Sequence, residues 1–189
     1  MRLTQTTVAP RLLSLITAIE PQRKWNSSGD LGTHEQIKAR LFSLQDQICA
    51  FCERPITIAQ SSVEHLHPKQ TPGCAHTGAT YPHYEWSNLV LTCLTNSTCN
   101  GVKADAHLCA EFDQIASHQD WLRVDPLTGD LSPNKALGVD AAKAARLLIS
   151  SLNLNAPDLS TRRRDLREAA VSKLVDENLS DSQVKFEPE

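Results

Sequence analysis

Several features that define whole classes of protein are absent from this sequence or nearly so. Its 189 residues contain no apolar run close to the ~20 residues that a membrane-spanning helix needs. An export signal has a basic segment, then an apolar segment, then small residues at a cleavage site, and this order is not found here. The chain is therefore expected to be cytoplasmic, with its thiols reduced. There is no internal repeat or low-complexity stretch, which excludes a solenoid. Aromatic residues make up only 5%, so a small core needs additional support.

An excess of positive charge is also missing. Lys plus Arg number 19 against 22 Asp plus Glu, a net charge of −3, which argues against binding nucleic acid through bulk charge. The distribution is uneven, because acidic side chains concentrate at 106–139 and near the end. Basic side chains cluster at Arg162, Arg163, Arg164, Arg167 and Lys173. This cluster is expected to be a docking or nucleic-acid backbone surface, or a solvated helix face on which Arg164 pairs with Glu168.

Hydrophobic periodicity predicts a mixed α+β chain. The segment from 49 to 105 has the pattern of short strands, loops and one terminal helix, and Asp125–Asp130 has the turn residues of a β-hairpin. Four helices are predicted, at 10–20, 34–47, 139–152 and 160–179.

The six cysteines predict a metal site. Cys49 and Cys52 have the two-residue spacing that aims two thiolates at one tetrahedral ion, and Cys93 and Cys99 follow with a looser spacing. Four thiolates from two separated turns indicate a closed structural Zn²⁺ site. The alternatives are buried free cysteines or a redox dithiol. Cys109 is expected in the core, whereas Cys74 and His76 are either exposed loop residues or substitute ligands.

The residues between and after the cysteine pairs resemble a known family. Glu64-His65, Asn88 and Asn100 occur in the order found in HNH nucleases, whose ββα-metal module carries an acid–His step, a middle Asn and a closing Asn or His. The zinc-supported variety of that family carries cysteine pairs in the same places. The resemblance implies a ββα-metal (HNH) nuclease module with a four-cysteine zinc site, flanked by N-terminal and C-terminal α-helices.

The likeness extends to one branch of that family. Cys-x-x-Cys-Glu, Glu-His-x-x-Pro-Lys, Trp-x-Asn-Leu and Cys-Asn-x-x-Lys are similar to the HNH subunit, often called PtuB, of two-gene Septu anti-phage systems and some retron cassettes. Leu152-Asn153-Leu154-Asn155 is similar to that branch too, so the likeness covers about residues 41–167. It implies an ABC-type ATPase as partner. The substrate is expected to be nucleic acid, with DNA favoured and RNA the alternative.

The chemistry of the individual residues fits phosphodiester hydrolysis. His65 is the candidate general base, because a neutral imidazole titrates near working pH. Glu64 and Asn100 offer the hard oxygen donors that suit Mg²⁺. Lys103, three residues further along the same helical face, is predicted to meet a phosphate oxygen. The resemblance implies that Asn88 holds the loop bearing His65; His67 is assigned a supporting or substrate contact.

These assignments divide the chain into four predicted parts and leave two other functions open. The parts are an N-terminal helical extension (1–48), the nuclease module (49–110), a hairpin or connector (111–138) and a C-terminal helical region with a frayed end (139–189). A non-catalytic zinc module that binds nucleic acid or a partner is one alternative. A zinc hydrolase that uses His65 and His67 as a metal pair is the other. Because the nuclease segment carries no excess of basic residues, we expect weak substrate binding without a partner.

Overall fold

The computed structural model describes residues 31–67, 85–103, 106, 108–116, 118 and 120–183. Some predictions therefore lie outside the described residues. They are the helix at 10–20, a loop predicted from the turn residues at 25–30, the motif residues Pro68 and Lys69, the last residues of the tail, Cys74 and His76, and also His83 and His107, which belong to no motif.

The described chain begins with helix α1, Leu31–Leu44. Ile37 and Leu41, one helical turn apart, are fully buried on its inner face. After the helix, Asp46 and Gln47 both adopt left-handed backbone conformations, which turn the chain sharply toward the first cysteine pair. The predicted helix at 34–47 is confirmed, with both ends displaced by three residues.

A two-stranded antiparallel sheet lies at the centre of the predicted module. Strand β1 (Ser61–His65) pairs with strand β2 (Leu89–Cys93), with His65 opposite Leu89 and Ser61 opposite Cys93. A 3₁₀ turn, Trp86–Asn88, leads into β2, and every residue of β2 is buried. On the outer edge of β2, the side-chain amide of Gln45 accepts from Leu91 N–H (2.7 Å) and donates to Leu91 C=O (2.8 Å).

Two short helices follow the sheet. Helix α2 is Asn100–Lys103 and helix α3 is Cys109–Ala116. The sequence reading did not predict α3, which buries Cys109, Phe112 and Ile115; the ring of Phe112 stacks on that of Phe51, with centroids 5.9 Å apart. Cys109 is thus buried, as predicted. Helix α3 spans the proposed module boundary at residue 110, and the four-part division stays a prediction.

The predicted hairpin is present. Strands β3 (Leu122–Val124) and β4 (Leu131–Pro133) pair antiparallel around a turn in which the Asp125 carboxylate accepts from the N–H groups of Leu127 and Thr128. Gly129 has φ +78°, and a Cβ there would overlap the carbonyl oxygen of Ser160. This turn therefore requires glycine for both its backbone conformation and its close approach to the C-terminal helix.

The C-terminal region is helical, as predicted. Helix α4 is Val139–Ser151, and helix α5 is Pro157–Gln183. A single hydrophobic core joins α1, the cysteine loops, the central sheet, α3 and α4, with Leu148, Leu152 and Leu154 fully buried. The mixture of helices and small sheets makes the described chain α+β. Within that described part, no helix is both long and apolar enough to cross a membrane.

Candidate metal centre and active site

The four predicted cysteine ligands converge. The Sγ atoms of Cys49, Cys52, Cys93 and Cys99 all lie within 4.8 Å of one another. Cys49 Sγ is 3.8 Å from Cys99 Sγ, and Cys52 Sγ is 3.9 Å from Cys93 Sγ. A tetrahedral zinc ion with Zn–S bonds of about 2.3 Å requires S···S edges of about 3.8 Å. The four sulfurs therefore fit one tetrahedral thiolate-bound ion, such as Zn²⁺.

Two tight loops place these sulfurs. In the first, Cys49 N–H donates to Arg54 C=O and Glu53 N–H donates to Cys49 C=O, both at 2.9 Å, with Glu53 in a left-handed conformation. In the second, Cys93 ends β2 and Cys99 is itself left-handed (φ 55°). Position 101 requires glycine, because a Cβ there would overlap the Thr95 carbonyl oxygen. Both loops are thus fixed by backbone geometry.

Hydrogen bonds within the cluster lower the pKa of two of the four thiols and raise the pKa of the other two. The hydrogen bond from Cys52 lowers the pKa of Cys49 to about 7, and the same contact raises the pKa of Cys52. The contact with Cys49 lowers the pKa of Cys93 and raises that of Cys99. Cys49 and Cys93 therefore lose their proton more readily than an ordinary cysteine, and the deprotonated thiolate is the form that binds a metal ion.

The candidate catalytic residues lie at the end of the sheet where β1 finishes and β2 begins. The Asn88 side chain accepts from the His67 N–H at 2.7 Å and donates to the His67 C=O at 3.0 Å. Leu66 N–H also donates to the Asn88 carbonyl, at 3.0 Å. The turn that follows His65 is therefore fastened to the turn that precedes β2. A holding role for Asn88 is compatible with these bonds and stays a prediction.

Lys103 lies in a place that its sequence spacing did not predict. Its side chain is only 2% exposed, and its ammonium donates to Glu64 Oε1 at 2.6 Å and to the His65 carbonyl at 3.1 Å. The predicted contact of Lys103 with a phosphate oxygen stays a prediction, since in this structure its ammonium is buried against a carboxylate. Lys103 ties helix α2 to the Glu64-His65 step.

Asn100 belongs to the same short helix as Lys103. Asn100 and Lys103 occupy the first and last residues of α2, one helical turn apart and on the same face. Because Lys103 contacts β1, helix α2 lies beside the Glu64-His65 step. The Glu64 carboxylate and the Asn100 amide oxygen are donors of the kind that a hard divalent cation takes, and their joint role in a Mg²⁺ site stays a prediction. The imidazole of His65 is 3% exposed in this arrangement.

Sequence reasoning missed one residue near the site. His67 is buried, and its Nε2 lies 3.6 Å from Asp113 Oδ1 on α3. Asp113 was overlooked together with its helix, although Leu108, Phe112 and Ile115 have helical spacing. Among the described residues, the four cysteines form the only group of three or more potential metal ligands. That region offers no third ligand for a zinc site built on His65 and His67.

The arginine cluster of the C-terminal helix is partly structural. Arg163 is half-buried, donates to Leu154 C=O at 2.7 Å and to Gly129 C=O at 3.3 Å, and burial lowers its pKa. Arg164 contacts Asp165 at 3.3 Å and Glu168 at 3.9 Å, the pairing expected of a solvated face. Arg162 is exposed. Of these three arginines, Arg162 is thus the most accessible to a ligand.

Comparisons with known proteins point the same way as the site. The chain is 24% identical over 145 residues to a protein of Vibrio cholerae serotype O1 biovar El Tor named "Retron Vc95 putative HNH endonuclease". The similarity covers 74% of this chain and 67% of that protein. No protein-family model matches the chain. This distant similarity, together with the four-cysteine cluster in an α+β fold, supports a zinc-bearing, HNH-like nuclease.

Proposed function

We propose that this chain is a metal-dependent HNH endonuclease that hydrolyses phosphodiester bonds of nucleic acid, with DNA as the favoured substrate. One observation carries the proposal. The Lys103 ammonium bridges Glu64 and the His65 carbonyl, which brings helix α2, directly after Cys99, against the acid–His step. Two separated parts of the predicted motif, Glu64-His65 and Asn100–Lys103, are therefore in contact, which supports the proposal.

Each residue has a role in this proposal. His65 accepts a proton from the attacking water at an imidazole nitrogen, as a general base. Glu64 and Asn100 would hold one Mg²⁺ or similar ion, which supplies positive charge for the phosphate and the leaving oxygen. Lys103 is a positioning residue that orients Glu64, and Asn88 fixes the turn after His65. In this proposal, strands β1 and β2 and helix α2 are the elements of the ββα-metal module.

The four-cysteine cluster is proposed as a structural Zn²⁺ site. Its sulfur spacing and the absence of a fifth potential ligand among the described residues fit a closed site without a position for water. Metal analysis of the purified chain is expected to give one zinc per chain. Cys99→Ser, which replaces one thiolate by a hydroxyl, is expected to lower that ratio well below one.

Nicking of supercoiled plasmid tests the nuclease assignment. Wild type with Mg²⁺ is expected to nick, and His65→Ala to lose about 10²- to 10⁴-fold in rate, the usual contribution of a general base. His118→Ala is the matched control, because His118 lies away from β1 and α2 in sequence and carries no motif. Equal cutting by wild type and His65→Ala would refute the role of His65. A structured RNA assayed in parallel decides between the two substrates.

We further infer that the nuclease acts in a two-component anti-phage system of the Septu or retron-associated type, with an ABC-type ATPase as partner. The support is the motif likeness to that branch and the retron in the name of the Vibrio protein. Co-expression with an ATPase encoded beside this gene should yield a complex. Because Arg163 has a structural role, Arg162→Ala is the variant that tests the arginine cluster for nucleic-acid retention and for ATPase binding.

A non-catalytic zinc module that binds nucleic acid is the second candidate. It is favoured by one observation, the near-complete burial of His65 beside a Glu64 that is already neutralised by Lys103. Nucleic-acid retention without cutting, by wild type and His65→Ala alike and in the presence of the ATPase, would support this function.

A further inference from the structure

The segment that follows helix α4 contacts the second cysteine loop directly. Cys99 N–H donates to the Leu152 carbonyl at 2.9 Å. Asn153 Nδ2 donates to the Ser97 carbonyl at 2.8 Å, across 56 residues of sequence. Hydrogen bonds to two consecutive residues, Leu152 and Asn153, therefore hold the loop at Cys99. Cys99 is also the cysteine whose own backbone is left-handed.

Asn153 has two separable functions in this contact. Its backbone ends helix α4 in a Schellman turn: Asn153 N–H donates to Ser150 C=O, Leu154 N–H donates to Ile149 C=O, and Asn153 has φ 47°. Glycine would satisfy that backbone requirement equally well. The asparagine side chain is not needed to end the helix, and its amide reaches the cysteine loop instead.

The same segment also reaches the first cysteine loop. Asp158, in the first turn of α5, accepts from Arg54 Nη2 at 2.6 Å. Arg54 follows Cys52 by two residues, and its carbonyl accepts from Cys49 N–H. Leu152, Asn153 and Asp158 thus contact the two loops that carry the four thiols, and we call these three residues the C-terminal clamp.

We propose that the C-terminal clamp supports the metal centre from outside and sets how firmly the centre retains its ion. The inference rests on the proposed zinc site. Groups that hydrogen-bond around metal ligands keep the ligands in the binding geometry, and their loss costs metal affinity. Coupling between two sites is reciprocal, so zinc binding also strengthens the attachment of α4 and α5 to the cysteine loops.

Zinc release from the full-length, zinc-loaded chain to an excess of a coloured chelator tests the clamp. Asn153→Gly keeps the left-handed turn and removes only the bond to Ser97; it is expected to release zinc about tenfold faster. Asn155→Ala is the matched control, because Asn155 bonds to Leu131 N–H and C=O in β4 and not to a cysteine loop. Its release rate is expected to equal that of wild type.

A second variant and a second readout complete the test. Asn153→Asp tolerates the same backbone but cannot donate to Ser97, so it should match Asn153→Gly. Limited proteolysis between α4 and α5 should accelerate on zinc removal in wild type. The proposal is overturned if both Asn153 variants release zinc at the wild-type rate, or if Asn155→Ala releases it equally fast. A chain purified without zinc overturns the zinc site as well, whereas a zinc-loaded chain that cuts nothing contradicts only the nuclease assignment.

Discussion

The contact between Lys103 and Glu64 predicts a large coupling energy between two candidate site residues. At 2.6 Å and an effective dielectric constant of 20, the attraction between the two charges is about 6 kcal/mol before desolvation is subtracted. The Lys103 side chain is 2% exposed and the Glu64 side chain 14% exposed. If the carboxylate is removed, water therefore has little access to the ammonium and cannot solvate it in place of Glu64. Glu64→Gln should therefore destabilise the fold by about 3 kcal/mol, the low end for a broken buried pair.

A double-mutant cycle with Lys103→Met measures this coupling by urea denaturation. For a chain of this size, 3 kcal/mol corresponds to a fall in Tm of about 6–12 °C for Glu64→Gln. The double variant should be less destabilised than the sum of the single variants by about 2 kcal/mol, since it leaves no buried charge unpaired. The exposed Arg164–Glu168 pair is the control, with a coupling of about 0.5 kcal/mol or less.

Additive single effects, within about 0.5 kcal/mol, would refute the reasoning that Lys103 is held by Glu64. The double variant also separates structure from chemistry. If Glu64 is a metal ligand, the double variant should regain stability and still fail to cut plasmid. Recovery of both stability and cutting would remove Glu64 from the catalytic site.

Three further changes have clear expected outcomes. Gly129→Ala should lower the free energy of unfolding by about 3 kcal/mol or more, because the new Cβ overlaps Ser160 and the backbone is left-handed. Gly138→Ala is the control: its new Cβ meets nothing within 4 Å, so the fall in Tm should be far smaller. The hydrogen bonds from Thr128 and Leu127 lower the pKa of Asp125 below 3.8. Its stabilisation is therefore present above pH 3.8 and lost as pH falls through the folded pKa, so urea midpoints of wild type and Asp125→Asn should converge in acid. Arg163→Ala should lower stability by about 2 kcal/mol, and Arg162→Ala should leave the unfolding midpoint nearly unchanged.

Local sequence patterns predicted most of the secondary structure. Helices α1, α4 and α5 have apolar stripes or long runs of good helix formers, and the hairpin has a turn sequence with Asp, Pro and Gly. Helix α3 was missed because eight residues provide only two turns of periodicity. Convergence of the four cysteines was predictable too, since metal-ligand spacing constrains both loops before any packing is known.

Residue roles that depend on long-range packing could not be predicted in the same way. The spacing of Asn100 and Lys103 predicted a shared helical face, but not that Lys103 contacts β1 and buries its ammonium. Asp113 reaches His67 only through the docking of α3. The Asn153 side chain acts 56 residues away in sequence, where no local pattern points to its partner.

The Gln45 side chain protects the edge of strand β2 from pairing with a strand of another molecule. A two-stranded sheet exposes unpaired N–H and C=O groups along its outer edge, where a strand of another molecule can add and start aggregation. Gln45 occupies both polar groups of Leu91 on that edge, and Ala50 N–H adds a further bond to the same carbonyl. One amide side chain thus takes the place of a third strand, and the apolar strand β2 is closed to intermolecular β-pairing at its centre.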